Sequence, residues 1–252
     1  MNHEQQKDDR KAIRLNKFLS NAGICSRRKA DDIIKEGRVS INGKIVKEMG
    51  LKVYADDVVK LDDKSIKRKE GLVYYLMNKP KGVVTTVTDE KDRKTVMDLL
   101  PGKINERIYP VGRLDRDTTG LLLITNDGEL THHLTHPSHK IEKIYRAETD
   151  RPISKNDLKS MAEGIELEDG LAAFDEIVFL DDHRTAIGIK IHEGRNRLIR
   201  RTLEALQYEV KKLDRVKMGP LTKYKLPRGA VRALSPKEVR ALRSGIPGKR
   251  RG

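Results

Sequence analysis

The chain has 252 residues, enough for one large domain or for a small one beside a medium one. A net charge of +15 over a composition that is 37% hydrophobic argues against a disordered chain and favours a polyanionic partner, nucleic acid first, over charge that serves solubility alone. One cysteine, Cys25, excludes an internal disulfide and a cysteine-rich zinc site. The polar opening and the lack of a bilayer-length apolar run predict a soluble cytoplasmic protein without membrane association.

Residues 1–13 read as a flexible arm, and 14–63 as a first domain. Arg14–Ser20 predicts a short helix with Leu15, Phe18 and Leu19 apolar, broken by Asn21-Ala22-Gly23. Ser26 is an N-cap for a second helix, Arg27–Glu36, which Gly37 ends and whose apolar stripe is Ala30, Ile33 and Ile34. Val39 and Ile41 alternate into the hairpin turn Asn42-Gly43, Ile45 continues the pairing, and Val58–Leu61 supplies another strand. Residues 64–71 are charged, lack apolar periodicity and read as a linker.

A second domain is expected over 72–243, with a basic tail over 244–252. Its expected strands are Val73–Met77, Leu121–Thr125, Ile141–Glu148, Thr185–Ile191 and Glu209–Val216. Its expected helices are Lys155–Ala162, Asn196–Leu206 and Pro236–Leu242, a mixed α+β pattern and not a repeated βαβ. With no Trp and three Phe, a broad aromatic platform for single-stranded bases is not expected.

The most informative stretch is Gly112-Arg113-Leu114-Asp115-Arg116-Asp117-Thr118-Thr119-Gly120-Leu121-Leu122-Leu123. It places a carboxylate in a loop mounted on a buried strand, a good support for a reactive group. Taken alone, such aspartates usually make turns or caps, and two so close are also compatible with a Mg²⁺ site. His132 and His136, one helical turn apart beside His133 and His139, invite a zinc reading, but no cysteine or well-spaced carboxylate completes a site and no metal is expected.

Two resemblances decide among these. Arg14-Leu15-Asn16-Lys17-Phe18-Leu19, Ser26-Arg27-Arg28-Lys29-Ala30 and Gly37-Arg38-Val39-Ser40-Ile41-Asn42-Gly43 resemble the S-four-type RNA-binding domain. That implies RNA contacts from Arg14, Lys17, Arg27, Arg28 and Arg38. Arg27 and Arg28 stand at a helix start, where backbone N–H groups also favour phosphate. The aspartate stretch, with Lys143-Ile144-Tyr145, Glu193-Gly194-Arg195-Asn196-Arg197-Leu198-Ile199-Arg200-Arg201 and Asn78-Lys79-Pro80-Lys81-Gly82, resembles the RsuA-like pseudouridine synthases.

That resemblance implies an α+β chain, a small N-terminal α/β RNA-binding domain followed by a mixed, mainly antiparallel-sheet catalytic domain. It implies cofactor-free isomerisation of uridine in RNA, with Asp115 as nucleophile, Tyr145 against the target base and Arg200 paired with Asp115. Arg113 would hold the duplex gap left by a flipped uridine, Arg195 and Arg197 would also contact RNA, and Asp117 is read as support for the turn. Leu198 stands where the family is usually polar, which puts a hydrogen bond from that position in doubt. Glu168-Asp169-Gly170-Leu171-Ala172-Ala173 and Leu226-Pro227-Arg228-Gly229 look most like the branch acting on large-subunit ribosomal RNA. The expected partner is ribosomal RNA or an assembly intermediate, and the expected state a monomer. The rival readings are a small-subunit or transfer-RNA substrate, a non-catalytic RNA-binding assembly factor, and a phosphoryl-transfer enzyme, the last disfavoured by the lack of a Gly-rich phosphate loop with Lys.

Overall fold

The computed structural model describes residues 12–66, 71–102, 104 and 106–246. The chain divides into two units, residues 1–71 with 104–107, and residues 72–103 with 108–252. Residues 1–11 of the expected arm, 67–70 of the expected linker and 247–252 of the expected tail lie outside the described residues.

In the first unit, α1 (Leu15–Asn21) and α2 (Arg27–Lys35) pack their apolar stripes on a small sheet. Ser26 caps α2 by accepting a hydrogen bond from the Lys29 N–H. Leu15, Leu19, Ala30, Ile34, Val39, Val53 and Val59 are almost fully buried and form the core. The sheet runs β2 (Lys44–Val46), β1 (Val39–Ile41), β3 (Val59–Leu61), β4 (Lys64–Ser65). Strand β4 carries ordered structure past the expected boundary at Asp63, because Asp62 and Asp63 both adopt positive φ (47° and 62°) and close a tight hairpin turn. At the other end Ile13, assigned to the arm, pairs with Val53.

The second unit is built on a nine-stranded sheet. Its elements are β5 (Tyr74–Lys79), β6 (Thr119–Thr125), α3 (Gly128–Thr135), β7 (Lys143–Thr149), α4 (Lys155–Glu163), β8 (Glu176–Phe179), β9 (Ala186–Ile191), α5 (Leu198–Ala205), β10 (Val210–Met218), β11 (Val231–Ala233) and α6 (Pro236–Arg243). The spatial order is β8-β9-β7-β10-β6-β5-β11, with short Tyr109–Pro110 and Leu221–Thr222 pairing onto β6 and β10. The expected strands lie within a residue or two of the observed ones, while β8 and β11 were not anticipated, being short and on the two ends of the sheet order. Leu121, Leu122, Leu123 and Ile124 have no exposure, so β6 is buried on both faces, which is why its sequence is an unbroken apolar run. Packing continues beyond the expected end at Arg243, since Ile246 lies in the same core as Leu242. No described helix is long and apolar enough to cross a membrane.

Adjacent strands along this order are antiparallel except β6 and β10, which meet in parallel at Asp214↔Thr119 and Arg215↔Gly120. Gly120 has φ +108°, and a Cβ there would stand 2.3 Å from the Arg215 carbonyl oxygen and 2.5 Å from its nitrogen. Only glycine lets the backbones come this close. Thr119 Oγ1 secures the junction by donating to Asp214 (2.7 Å).

Gly120→Ala should therefore force β6 from β10. The expected cost is about 3 kcal/mol or more from strain and overpacking, a fall of about 10 °C in Tm. A thermal melt checks this; an unchanged Tm would refute the close crossing.

Candidate active site

The loop carrying Asp115 is held from within by a buried cation. Lys79, at the end of β5, has no exposed surface. Its Nζ donates to the carbonyl oxygens of Thr118 (2.9 Å), Asp115 (3.0 Å), Pro80 (3.1 Å) and Arg116 (3.3 Å). Thr85 ties back Leu114, the residue before Asp115, donating to its carbonyl (2.7 Å) and accepting from its N–H (3.3 Å). With the loop's main chain turned inward, the side chains of Asp115 and Asp117 stay partly exposed, at 34% and 41%. Burial pulls the Lys79 ammonium down to about 8, with the carboxylates of Asp117 and Asp115 opposing the shift.

Two arginines face the two aspartates. Arg197, left-handed at φ 48°, begins α5. Its Nη1 lies 3.7 Å from Asp115 and 3.8 Å from Asp117. Arg200 is buried, donating from Nη1 to the Val210 carbonyl (3.1 Å), while Nη2 sits 3.1 Å from Asp117. The expected Arg200–Asp115 pair is thus replaced by Arg200–Asp117. Arg200 is anchored to the start of β10 and meets the second aspartate, while the left-handed turn brings Arg197 toward the first. Asp117 is therefore an ion-pair partner, and not merely turn support. The Asp-x-Asp spacing was the only sign of this in the sequence.

The loop and α5 border a cleft of about 310 Å³ whose lining includes Arg113, Asp115, Thr118, Tyr145, Leu198 and Arg215. Tyr145 projects from β7 and is 9% exposed; Arg113 is exposed. Leu198 is buried and apolar, so it contributes packing and no side-chain hydrogen bond. Lys143, also on β7, donates to the carbonyls of Ile141 and His192 (both 3.1 Å), and burial, then the Arg215 charge, pulls its ammonium down.

Other expected contacts are engaged within the protein. Arg195 donates to the carbonyls of Leu171 (2.7 Å), Gly170 (3.0 Å) and Asp169 (3.2 Å) and to the Glu193 carboxylate (2.8 Å). Arg201 forks onto Asp169 with both bonds at 2.8 Å. Together they pin the hairpin formed by Ile165–Leu167 and Gly170–Ala172, so Arg195 is a clamp in this structure and not a free RNA contact. Arg38 grips the Asp62 carboxylate at 3.0 and 2.6 Å, bracing the β3–β4 turn. In the first unit Arg14, Arg27 and Arg28 are exposed and Lys17 is half-buried.

Sequence reasoning missed Asp214 entirely. It accepts from Thr119, from Arg228 (2.8 Å) and from Lys223; burial would push its carboxyl up, but these partners outweigh that and hold it below the ordinary carboxylate range. The imidazoles of His132, His133, His136 and His139 cluster with centroids 4.7–5.8 Å apart. Among the described residues no group of three or more His, Cys, Asp or Glu side chains could hold a metal ion.

Lys79→Met keeps the side-chain stem and removes both the burial penalty and the hydrogen bonds, so the two effects should largely offset in Tm. The loop should instead open, seen as faster amide exchange over 115–118 than in the wild type at pH 7. Because the folded-state value of about 8 lies below the ordinary 10.5, the cost of the buried charge is relieved as pH rises from 8 to 10.5. In that window the wild-type ammonium gives up its proton, and the exchange difference between the proteins should close. A difference independent of pH would refute this role.

The RNA pseudouridylate synthase family matches residues 73–205, and the S4 domain matches residues 13–59. The ribosomal large subunit pseudouridine synthase B of Bacillus subtilis is 44% identical over 235 residues, covering 92% of this chain and 96% of the relative. The protein of the same name from Vibrio vulnificus is 39% identical over 241 residues, 91% of this chain and 74% of the relative. A crystal structure of a pseudouridylate synthase matches with a TM-score of 0.66 and 32% identity, covering 91% of this chain and 99% of that one. The matched residues include the whole Asp115 loop, Tyr145 and Arg200, and with the shared fold they make this chain a member of the RNA pseudouridylate synthase family that carries an N-terminal S4 domain.

Proposed function

We propose that this enzyme converts a specific uridine of large-subunit ribosomal RNA to pseudouridine, with Asp115 as the nucleophile. The observation that carries this reading is the carboxylate of Asp115 at a cleft shared with Tyr145 and faced by Arg197. The substrate class is supported by relatives from Bacillus and Vibrio whose names specify the ribosomal large subunit.

The reaction breaks the bond between uracil N1 and ribose C1′, turns the base and joins C5 to C1′. The C5 proton leaves and N1 gains one, so the change is an isomerisation that balances without oxidant or cofactor. The target uridine must leave its stack to reach the cleft. The Asp115 carboxylate acts on the sugar as the nucleophile. The Tyr145 ring offers a flat face on which the detached base can turn. Arg197 and the Arg200–Asp117 pair set the charge around Asp115. Arg113, exposed at the cleft, is the side chain suited to the space the flipped nucleotide vacates.

Asp115→Asn should bind RNA with little change, because most affinity comes from phosphate contacts elsewhere. It should release no tritium from RNA labelled at uridine C5. Asp117→Asn weakens the ion pair that seats Arg200 and should lose about 10- to 100-fold in turnover, equivalent to about 1.4–2.7 kcal/mol. Full turnover by folded Asp115→Asn would overturn the nucleophile. Pseudouridine maps of ribosomal RNA from cells with and without the protein test the substrate; a site missing only from the small subunit would overturn the large-subunit assignment.

The exposed Arg27 and Arg28 at the start of α2 are the proposed phosphate contacts of the first unit. The double variant Arg27→Gln, Arg28→Gln should reduce the slope of log affinity against log salt by about 1–2. An unchanged slope would place the RNA elsewhere.

A further inference from the structure

We propose that Arg215 and Thr118 form the receptor for an exocyclic carbonyl oxygen of the target uracil, Arg215 donating from Nη2 and Thr118 from Oγ1. This rests on the reading above that the cleft receives a uridine. Both residues line that cleft. Arg215 is 3% exposed and Thr118 2% exposed. Each carries a buried polar atom without a hydrogen-bond partner, Nη2 of Arg215 and Oγ1 of Thr118. Among the described residues only Asn16, His133 and Arg200 share this condition.

An unmade bond at a buried donor costs about 1–3 kcal/mol, and more when the group is charged. Folded proteins keep few such groups, and a ligand is one of the reasons they persist. Here the surroundings say which ligand. Arg215 on β10 lies directly opposite Tyr145 on β7 in the strand register, so their side chains leave the same face of the sheet. Arg215 Nε is fixed by donating to the Leu121 carbonyl at 2.8 Å, which holds the guanidinium in place. Thr118 closes the Asp115 loop, and its own carbonyl is held by Lys79 at 2.9 Å. A base lying on Tyr145 therefore meets a fixed guanidinium at the neighbouring position of the sheet.

Leu134, Leu198, Leu213 and Met218 give the lining apolar surface beside its charged side chains, Lys143 and Arg197 among them. With the ring of Tyr145, that apolar surface suits the faces of a flat base, and the donors suit its rim. Uracil presents carbonyl oxygens at C2 and C4, both acceptors. When the N1–C1′ bond breaks, the pair of electrons that remains on the base spreads onto those oxygens. A fixed cation beside one of them then stabilises the detached base more than the bound uridine, which is how a donor accelerates a reaction and does not merely bind its substrate. The positive charge that Arg215 already imposes on Lys143 agrees with a cationic floor to the cleft.

The test is single-turnover kinetics on an RNA fragment whose target nucleotide is uridine, 2-thiouridine or 4-thiouridine, since sulfur is a poor hydrogen-bond acceptor. Wild type should be slowed about tenfold or more by one of the two sulfur substitutions. Arg215→Met should be slowed about 10- to 100-fold on uridine, at unchanged RNA affinity, and that same sulfur substitution should slow it little further. Thr118→Val exchanges the hydroxyl for a methyl of similar size, should fold normally and should show a smaller loss with the same insensitivity; it decides the matter if Arg215→Met is poorly folded. Sulfur penalties in the variants equal to those in wild type would overturn the proposal, as would wild-type turnover of uridine by both variants. Absence of product from wild type on the unmodified fragment and on intact ribosomal RNA would instead defeat the reading on which the proposal rests.

Discussion

An ammonium group sealed from water organises the chemistry of this protein. Lys79 has no exposed surface, and four main-chain oxygens converge on its Nζ. An ammonium has three protons to donate, so the fit is crowded and the charge is held by dipoles in place of water. The consequence is directional. Once the carbonyls of Asp115, Arg116 and Thr118 point inward, the Asp115 side chain is left at the cleft and both carboxylates are left within reach of arginines, Arg197 for the two and Arg200 for Asp117. Without such an anchor a loop with two aspartates would relax into the ordinary turn that its composition suggests.

The second constraint is the crossing of β6 and β10. Two residue pairs join these strands in parallel, while the remaining neighbours in the sheet order are antiparallel. Gly120 allows the close approach, and Thr119 and Asp214 tie it from the side chains. Asp214 is itself held by Arg228 and Lys223, so residues far apart in sequence converge on one carboxylate. The crossing sets Arg215 beside the end of the aspartate loop, and strand register sets it opposite Tyr145. The position of the cleft follows from these two facts.

Arginine is put to distinct uses within a few residues of one another. Arg195 satisfies three consecutive carbonyls of a hairpin, Arg197 spans two carboxylates, Arg200 joins Asp117 to the main chain of β10, and Arg201 forks onto Asp169. A flat guanidinium with five donors can do each of these, and lysine could not replace it in the forked contacts. The motif is thus structural as much as chemical, and a basic side chain within it is not by that fact a phosphate contact.

Local signals in the chain were enough for its two-part organisation, the helix caps, the Asn42-Gly43 turn, most strands of the large sheet and the Asp115 loop, because each depends on neighbours within a few residues. The pattern of motifs pointed to the family in the same way, through ordered strings of residues. Partners distant in sequence were beyond that reach. Asp117 in place of Asp115 as the mate of Arg200, Arg38 held by Asp62, Arg195 acting as a clamp, and the whole Asp214 network all emerge only when the strands and loops are assembled. A side chain's charge is written in its residue type, but the group that answers that charge is chosen by tertiary packing, which alone sets distance, burial and the absence of water.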